Sequence, residues 1–330
     1  MNNSIIELQE VSKIYQDNPR AGVLSVSLSI QEGSVTVISG ESGSGKSTLL
    51  KLISGFMSPD SGTVLYKNEP VMRPEGRLIP GHDAMKTVAQ DFNLNIYAKV
   101  YDNIAGLLSN TNLKEKQQKT FEVMEFLKID HLAQKRAVDL SGGEQQRVAI
   151  ARAIITGPEV LLLDEPFSQV DSILKNELRA DIKRMSRYLG ITVILVSHDP
   201  LDGLSLADKM IVLKDGEVLE EGAPSDLYNA PGCLYTAQLL SNCNVLSSED
   251  AREIGIYTGK DTVAVYAEWV RLNRNDDSLT FTVKDCFFKG FYEEVLLERN
   301  GVKLRAINTG NFRYVKGQEV GVSIDRFVEF

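Results

Sequence analysis

Apolar positions in the first 240 residues fall into short continuous runs, among them residues 34–39, 160–164 and 192–197. Short apolar runs bounded by turn-forming residues read as strands buried on both faces. Between them lie stretches with helical spacing, residues 46–54 and 144–156. This alternation predicts a mainly parallel sheet covered by helices. Gly216, Gly222 and Pro224 punctuate turns near the end of the region.

Beyond about residue 245 the period changes to two. Val263 and Val265 alternate with Ala264 and Tyr266, and Leu279, Phe281 and Val283 with Thr280, Thr282 and Lys284. Val302, Leu304 and Ala306 alternate with Lys303 and Arg305, and Val320, Val322 and Ile324 with Gly321 and Ser323. Asn300-Gly301 and Lys316-Gly317 interrupt these strands, which predicts a small antiparallel barrel. The expected division is therefore 1–243 and 244–330.

Composition narrows the function classes. Of 330 residues, 43% are hydrophobic and 25% charged, ordinary values for a protein that buries a core. The formal net charge is −9. Residues 245–330 hold 12 Lys+Arg against 14 Asp+Glu, a balance of −2, which leaves −7 for the remainder. Neither region is basic, so no nucleic-acid partner and no polybasic membrane surface is expected. No apolar run approaches the ~20 residues of a spanning helix. The first residues carry neither a basic flank nor an apolar leader core, so the expected location is cytoplasmic. Cys233, Cys243 and Cys286 are odd in number and lack a CxxC spacing, which excludes a disulfide framework and a zinc pattern.

The chemistry is concentrated in three places. Gly40-Glu41-Ser42-Gly43-Ser44-Gly45-Lys46-Ser47-Thr48 fits GxxxxGK[ST], follows an apolar strand and opens an apolar helix. Backbone N–H groups of such a loop, with the helix N-terminus behind them, cradle phosphates. Lys46 can reach the β- and γ-phosphates and Ser47 can ligate Mg²⁺. Second, the run Val160-Leu-Leu-Leu ends in Asp164-Glu165. A buried strand delivers such carboxylates to the sheet edge where α/β ligands bind. Asp164 is placed to hold Mg²⁺ and Glu165 to orient or deprotonate an attacking water. Third, Leu140-Ser141-Gly142-Gly143-Glu144-Gln145-Gln146-Arg147 opens a helix. Ser141 and Glu144 make a capping box, and a capped helix N-terminus is also an anion site.

In this order and spacing, these three motifs resemble the ATP-binding-cassette (ABC) ATPases. The resemblance implies a P-loop NTPase α/β core with a helical insert around 100–153, and an OB-like C-terminal barrel. It implies that Ser141, Gly142, Gly143 and Glu144 face the γ-phosphate of an ATP held by a second copy. It makes Tyr15 the aromatic on adenine and Gln90 the Q-loop residue that touches Mg²⁺ or its water. It makes Ser168-Gln-Val-Asp171 the D-loop and His198 the histidine on the γ-phosphate. His82 and His131 have no such context and read as surface residues.

The stretches Ser205-Leu-Ala-Asp-Lys-Met, Glu221-Gly-Ala-Pro and Leu227-Tyr-Asn-Ala-Pro narrow the resemblance to importer ATPases of the polyamine, ferric-iron, molybdate and sulfate type. Those carry a C-terminal TOBE domain, and Val265-Tyr-Ala-Glu-Trp-Val-Arg-Leu272 is similar to one of its strands. The implied cofactors are ATP and Mg²⁺. The implied partners are a second ATPase subunit, integral membrane permease subunits and an extracytoplasmic solute-binding protein. The chain would then lie peripherally on the inner face of the membrane. Exporter ATPases and soluble ABC proteins acting on nucleic acid or ribosomes are the alternatives. After Gln90 the chain reads Asp91-Phe-Asn-Leu-Asn-Ile-Tyr-Ala where many relatives have Phe-Pro, and Pro200 follows His198-Asp199 where Gln is common.

Overall fold

The computed structural model describes residues 4–16, 22–76, 78, 80–273, 279–310 and 312–330. Two compact units divide the chain, Met1–Pro224 and Ser225–Phe330.

In the first unit the elements run β1 (Ser4–Lys13), β2 (Val23–Gln31), β3 (Val35–Ser39), α1 (Lys46–Ile53), β4 (Ser61–Tyr66), β5 (Glu69–Pro70) and β6 (Met85–Val88). They continue as α2 (Val100–Ala105), α3 (Leu113–Phe126), α4 (Gly142–Ile154), β7 (Val160–Asp164) and α5 (Ser172–Leu189). β8 (Thr192–Ser197), α6 (Pro200–Leu206), β9 (Lys209–Lys214) and β10 (Glu217–Gly222) follow. A six-stranded sheet takes the order β10-β9-β3-β8-β7-β6. The pairs β3–β8, β3–β9, β7–β8 and β6–β7 are all parallel. Their C-terminal ends therefore share one edge. β3 and β8 are buried at every position, as expected of continuous apolar runs covered on both faces.

A second sheet, β2-β1-β4-β5, is antiparallel and was not foreseen in the mainly parallel reading. Ile6, Leu8 and Val11 of β1 and Val23, Val26, Leu28 and Ile30 of β2 join α1 in one apolar core with the central strands. One face of this sheet thus takes its hydrophobic partner from the helix that the phosphate loop opens. His82, expected at the surface, is half-buried: its ring lies 4.5 Å from that of Tyr66, and Nδ1 accepts from the Ala84 N–H.

Helix α4 is fastened to α5 from inside. Arg147 ion-pairs with Asp181, donates to Leu127 O at 3.0 Å, and reaches Glu177 at 3.4 Å. Asp181 is only 2% exposed. Removing one member of a buried pair leaves the other charge without compensation. Arg147→Ala is expected to destabilise the chain by about 3 kcal/mol, the low end for such a loss, because Arg184 at 3.0 Å remains on Asp181. Thermal and denaturant unfolding of the purified variant measure this.

The second unit begins at Ser225, one residue into α7 (Pro224–Asn229), and runs through α8 (Leu234–Leu240), β11 (Cys243–Ser247), α9 (Ser248–Glu253) and β12 (Thr262–Tyr266). It continues with β13 (Val270–Asn273), β14 (Leu279–Phe288), β15 (Glu293–Arg299), β16 (Val302–Asn308), β17 (Glu319–Ile324) and β18 (Val328–Glu329). These form a three-stranded sheet, β11-β12-β18, and a five-stranded sheet, β13-β17-β14-β15-β16, in which every pair is antiparallel. Phe281, Val283, Leu297, Leu304 and Val322 belong to one core with Val263 and Val265. Asn300 and Gly301 both take positive φ, 48° and 87°, as a two-residue hairpin turn requires between β15 and β16. β12 departs from the two-period reading. Ala264 and Tyr266 are as fully buried as their neighbours, because they pack against Ala237 of α8. All three cysteines are free thiols.

Candidate nucleotide-binding site

β3 ends at Ser39, and the glycine-rich loop turns directly into α1. Gly45 caps that helix in the left-handed region, φ 98°, and a Cβ there would lie 2.3 Å from Gly22 O. Only glycine accepts both conditions. The loop thus brings the first turn of α1 and its free N–H groups to the sheet edge. Lys46 Nζ donates to Gly40 O and Glu41 O, both at 2.8 Å. Burial lowers the Lys46 pKa, while the negative charges of Glu165, Asp164 and Glu41 oppose that shift.

The ends of β7 and β8 supply the rest. Ser47 Oγ donates to Asp164 Oδ1 at 3.0 Å, so the two hard-oxygen groups expected to hold a metal already lie side by side. Glu165 follows with φ 50°, a left-handed conformation uncommon for a side chain of this size. Its N–H donates to Val196 O at 3.1 Å, which locks the turn to β8. His198 Nδ1 lies 2.7 Å from Glu165 Oε2.

Ser42, Gly43, Gly45, Lys46, Ser47, Thr48, Gln90, Glu165, Ser168 and His198 line one cleft of about 400 Å³. Gln90 stands two residues past β6, and its carbonyl accepts from Gln169 Nε2 at 3.0 Å. Ser168, assigned by sequence only to a loop between copies, also faces this cleft, held by N–H and Oγ bonds to Glu165 O. Gly40, Glu41, Ser44 and Asp164 are not among the residues that line it. Tyr15 is half-buried beside the loop, its hydroxyl 3.4 Å from Thr48 Oγ1, and does not line the cleft.

Ser141, Gly142, Gly143 and Glu144 stand apart from that lining. Ser141 accepts from the Glu144 N–H, and the Glu144 carboxylate accepts from the Ser141 N–H, a complete capping box. Those hydrogen bonds hold the Glu144 carboxyl below its ordinary pKa, against the opposing effect of its partial burial. A Cβ on Gly142 would meet Gln169 O at 2.3 Å, so the start of α4 lies directly on the loop that follows Glu165.

A family model described as "ABC transporter" matches residues 23–168. The dimeric ATP-binding cassette MJ0796, solved in a post-hydrolysis state with ADP and Pi, is 30% identical, with a TM-score of 0.57 over 66% of this chain and 98% of that one. The chain belongs to the ABC transporter ATPase family. CbiO1 of Clostridium perfringens, part of the ABC transporter complex cbiONQ, is 28% identical, with a TM-score of 0.62 over 68% of this chain and 91% of that one. A nucleotide-free cassette from an ABC transporter is 26% identical at a TM-score of 0.58, over 67% and 91% of the two chains.

This ABC ATPase is an ATP-hydrolysing enzyme built on the P-loop cassette fold. Among the described residues no helix is long and apolar enough to cross a membrane. Sequence reading missed one group near the site. Asp202, 1% exposed on α6, accepts from Ser197 Oγ at 2.5 Å and from Arg179 of α5. Burial raises its pKa, against the pull of those two donors. No motif marked it in the sequence, and its partner Arg179 lies in a different helix.

Proposed function

We propose that this ABC ATPase is the energising subunit of a membrane importer, working as a head-to-tail pair around two ATP molecules. The observation that carries this reading is the division of the motifs. The phosphate loop, Glu165, Gln90 and His198 converge on one cleft, while Ser141–Glu144 at the capped start of α4 are not among the residues that line it. Ser141–Glu144 of a second copy then complete the site.

In that site the loop N–H groups and Lys46 hold the phosphates, and Tyr15 stacks on the adenine. Ser47, Gln90 and Asp164 would hold Mg²⁺, which would supply charge neutralisation for the phosphates. Glu165 orients the attacking water and takes its proton, and His198 contacts the γ-phosphate. The partner's anion-binding helix start adds stabilisation in trans, so a lone subunit hydrolyses poorly.

The segment after Gln90 is the candidate permease contact. Asn103 clamps it: its side chain accepts from the Asn95 N–H and donates to Asn95 O and Lys99 O. The clamp leaves Tyr97 74% exposed. Behind it, the Val138 N–H donates to Ile96 O and the Ala137 N–H to Ala98 O, a direct backbone link to the residues that lead into Ser141. A push on Tyr97 is thereby passed to the trans element. Tyr97→Ala, and substitution of Asn95, should reduce permease-stimulated hydrolysis about tenfold while basal hydrolysis stays within about twofold, if the lost contact is worth about 1.4 kcal/mol. Equal losses in both rates would contradict the coupling role.

Residues 244–330 act in this reading as an OB-like TOBE module with a regulatory or dimer-contact role, supported by two antiparallel sheets on one core. Solute capture by an extracytoplasmic binding protein and an inner-face location through permeases complete the proposal. Its test is the purified complex in sealed vesicles: ATP-dependent uptake supports an importer, and ATP-dependent extrusion overturns it.

A further inference from the structure

One arginine outside every motif ties together the two loops that carry Glu165 and His198. Arg179 projects from α5, its side chain 14% exposed. Its Nε and Nη2 donate to Asp202 Oδ1 at 2.9 and 2.5 Å, while Nη1 donates to Asn176 Oδ1 at 2.9 Å. The other Asp202 oxygen accepts from Ser197 Oγ at 2.5 Å, and Ser197 Oγ accepts in turn from the Asp199 N–H at 3.0 Å. Ser197 and Asp199 flank His198 on either side. The same guanidinium lies 5.4 Å from the ring centroid of Phe167, two residues after Glu165, and that ring is 3% exposed.

We propose that Arg179 and Asp202 are a positioning pair that sets the His198–Glu165 contact, and with it the hydrolytic geometry of the cleft. This rests on the reading above that both residues act on the γ-phosphate and its water. Pinning α5 to α6 needs no charge: burying a carboxylate and a guanidinium carries a desolvation cost that apolar side chains of the same volume avoid. What the pair adds is direction. Two guanidinium N–H groups converge on one Asp202 oxygen, the other oxygen holds the Ser197 hydroxyl, and that hydroxyl accepts from the amide after His198. Each link is a hydrogen bond with an angular preference, so the imidazole leaves β8 in one orientation. The contact with Phe167 sets the second loop against the same guanidinium. Neither residue lines the cleft, so the pair acts only through His198 and Glu165.

The experiment uses the full chain and measures kcat and KM for ATP by phosphate release, Mg-ATP affinity with a fluorescent ATP analogue, and thermal unfolding. Variants are Asp202→Asn, Arg179→Lys and the milder Ser197→Ala, each alone and combined with His198→Ala. Asp202→Asn and Arg179→Lys should lower kcat by about 10–100-fold, the scale of a small misplacement of reacting groups. KM and analogue affinity should stay within about threefold, as for an interaction made only in the transition state. Ser197→Ala, which removes a single link, should give a smaller loss in the same direction and keeps the question open to test if Asp202→Asn fails to fold. In the His198→Ala background the same substitutions should add less than about twofold, because residues acting as a unit are not additive. Full additive losses in that background, or a fall in affinity to match the fall in kcat, would overturn the pair as a positioning device. If His198→Ala alone hydrolyses like the wild type, the site reading fails instead. A slow His198→Ala beside wild-type rates for Ser197→Ala and Arg179→Lys refutes only this inference.

Discussion

Glu165→Gln is expected to bind Mg-ATP like the wild type and to hydrolyse it about 10²–10⁴-fold more slowly, the usual contribution of general-base help. Glutamine keeps the shape of the side chain and its place at the end of β7, and can still hydrogen-bond a water. It cannot take the proton. Lys46, Ser47 and Asp164 are untouched, and the Ser47–Asp164 hydrogen bond of 3.0 Å does not involve Glu165. Two further effects act together with this one. The His198 Nδ1 contact of 2.7 Å loses its charged acceptor, which weakens the imidazole's orientation. Removing a negative charge beside the triphosphate also lowers the repulsion that a bound nucleotide meets. The variant should therefore accumulate in the ATP-bound state. A phosphate-release assay beside an equilibrium nucleotide-binding measurement checks both halves. Wild-type turnover would remove Glu165 from its assigned role.

Lys46→Ala should have the opposite signature: binding is lost along with turnover. The ammonium is held over the loop by Gly40 O and Glu41 O, and burial lowers its pKa. Phosphate oxygens arriving at the loop provide a better counter-charge and favour the protonated lysine. A hydrogen bond to a charged group is worth about 1.5–3 kcal/mol, so affinity for Mg-ATP should fall by about 10–100-fold. Without the cation, the phosphates meet the carboxylates of Asp164 and Glu165 with less to offset them. Titration with a fluorescent ATP analogue and phosphate release are the readouts, with circular dichroism to show that the fold survives. Affinity and hydrolysis both near wild type would sink the assignment of Lys46.

Much of the cleft was legible in the sequence because its chemistry sits at the ends of buried strands. β3, β7 and β8 were foreseen to within a residue, since an apolar run flanked by turn formers leaves little choice of register. Once these strands lie parallel, their C-terminal residues must meet at one edge, and the phosphate loop, Glu165 and His198 meet there. Three features could not be read this way. The antiparallel sheet of β1, β2, β4 and β5 carries strand-like alternation without any signal for which partner it joins. β12 looked one-sided, yet α8 covers its second face, and coverage is a tertiary fact. The Arg179–Asp202 pair spans two helices and 23 positions of chain, a spacing no local period marks. Ser168 illustrates a milder case: its loop was recognised, but its place on the cleft follows from its bonds to Glu165 O.

The central claim is that one chain holds only part of each hydrolytic site and that a second chain's Ser141–Glu144 supplies the remainder. Light scattering of Glu165→Gln with and without Mg-ATP tests it most directly, because the slow variant keeps its nucleotide through the measurement. The account predicts a mass near that of one chain without nucleotide, twice that mass with Mg-ATP, and no doubling when Ser141→Arg is added to the same chain. A protein that binds Mg-ATP and stays at the mass of one chain would contradict it.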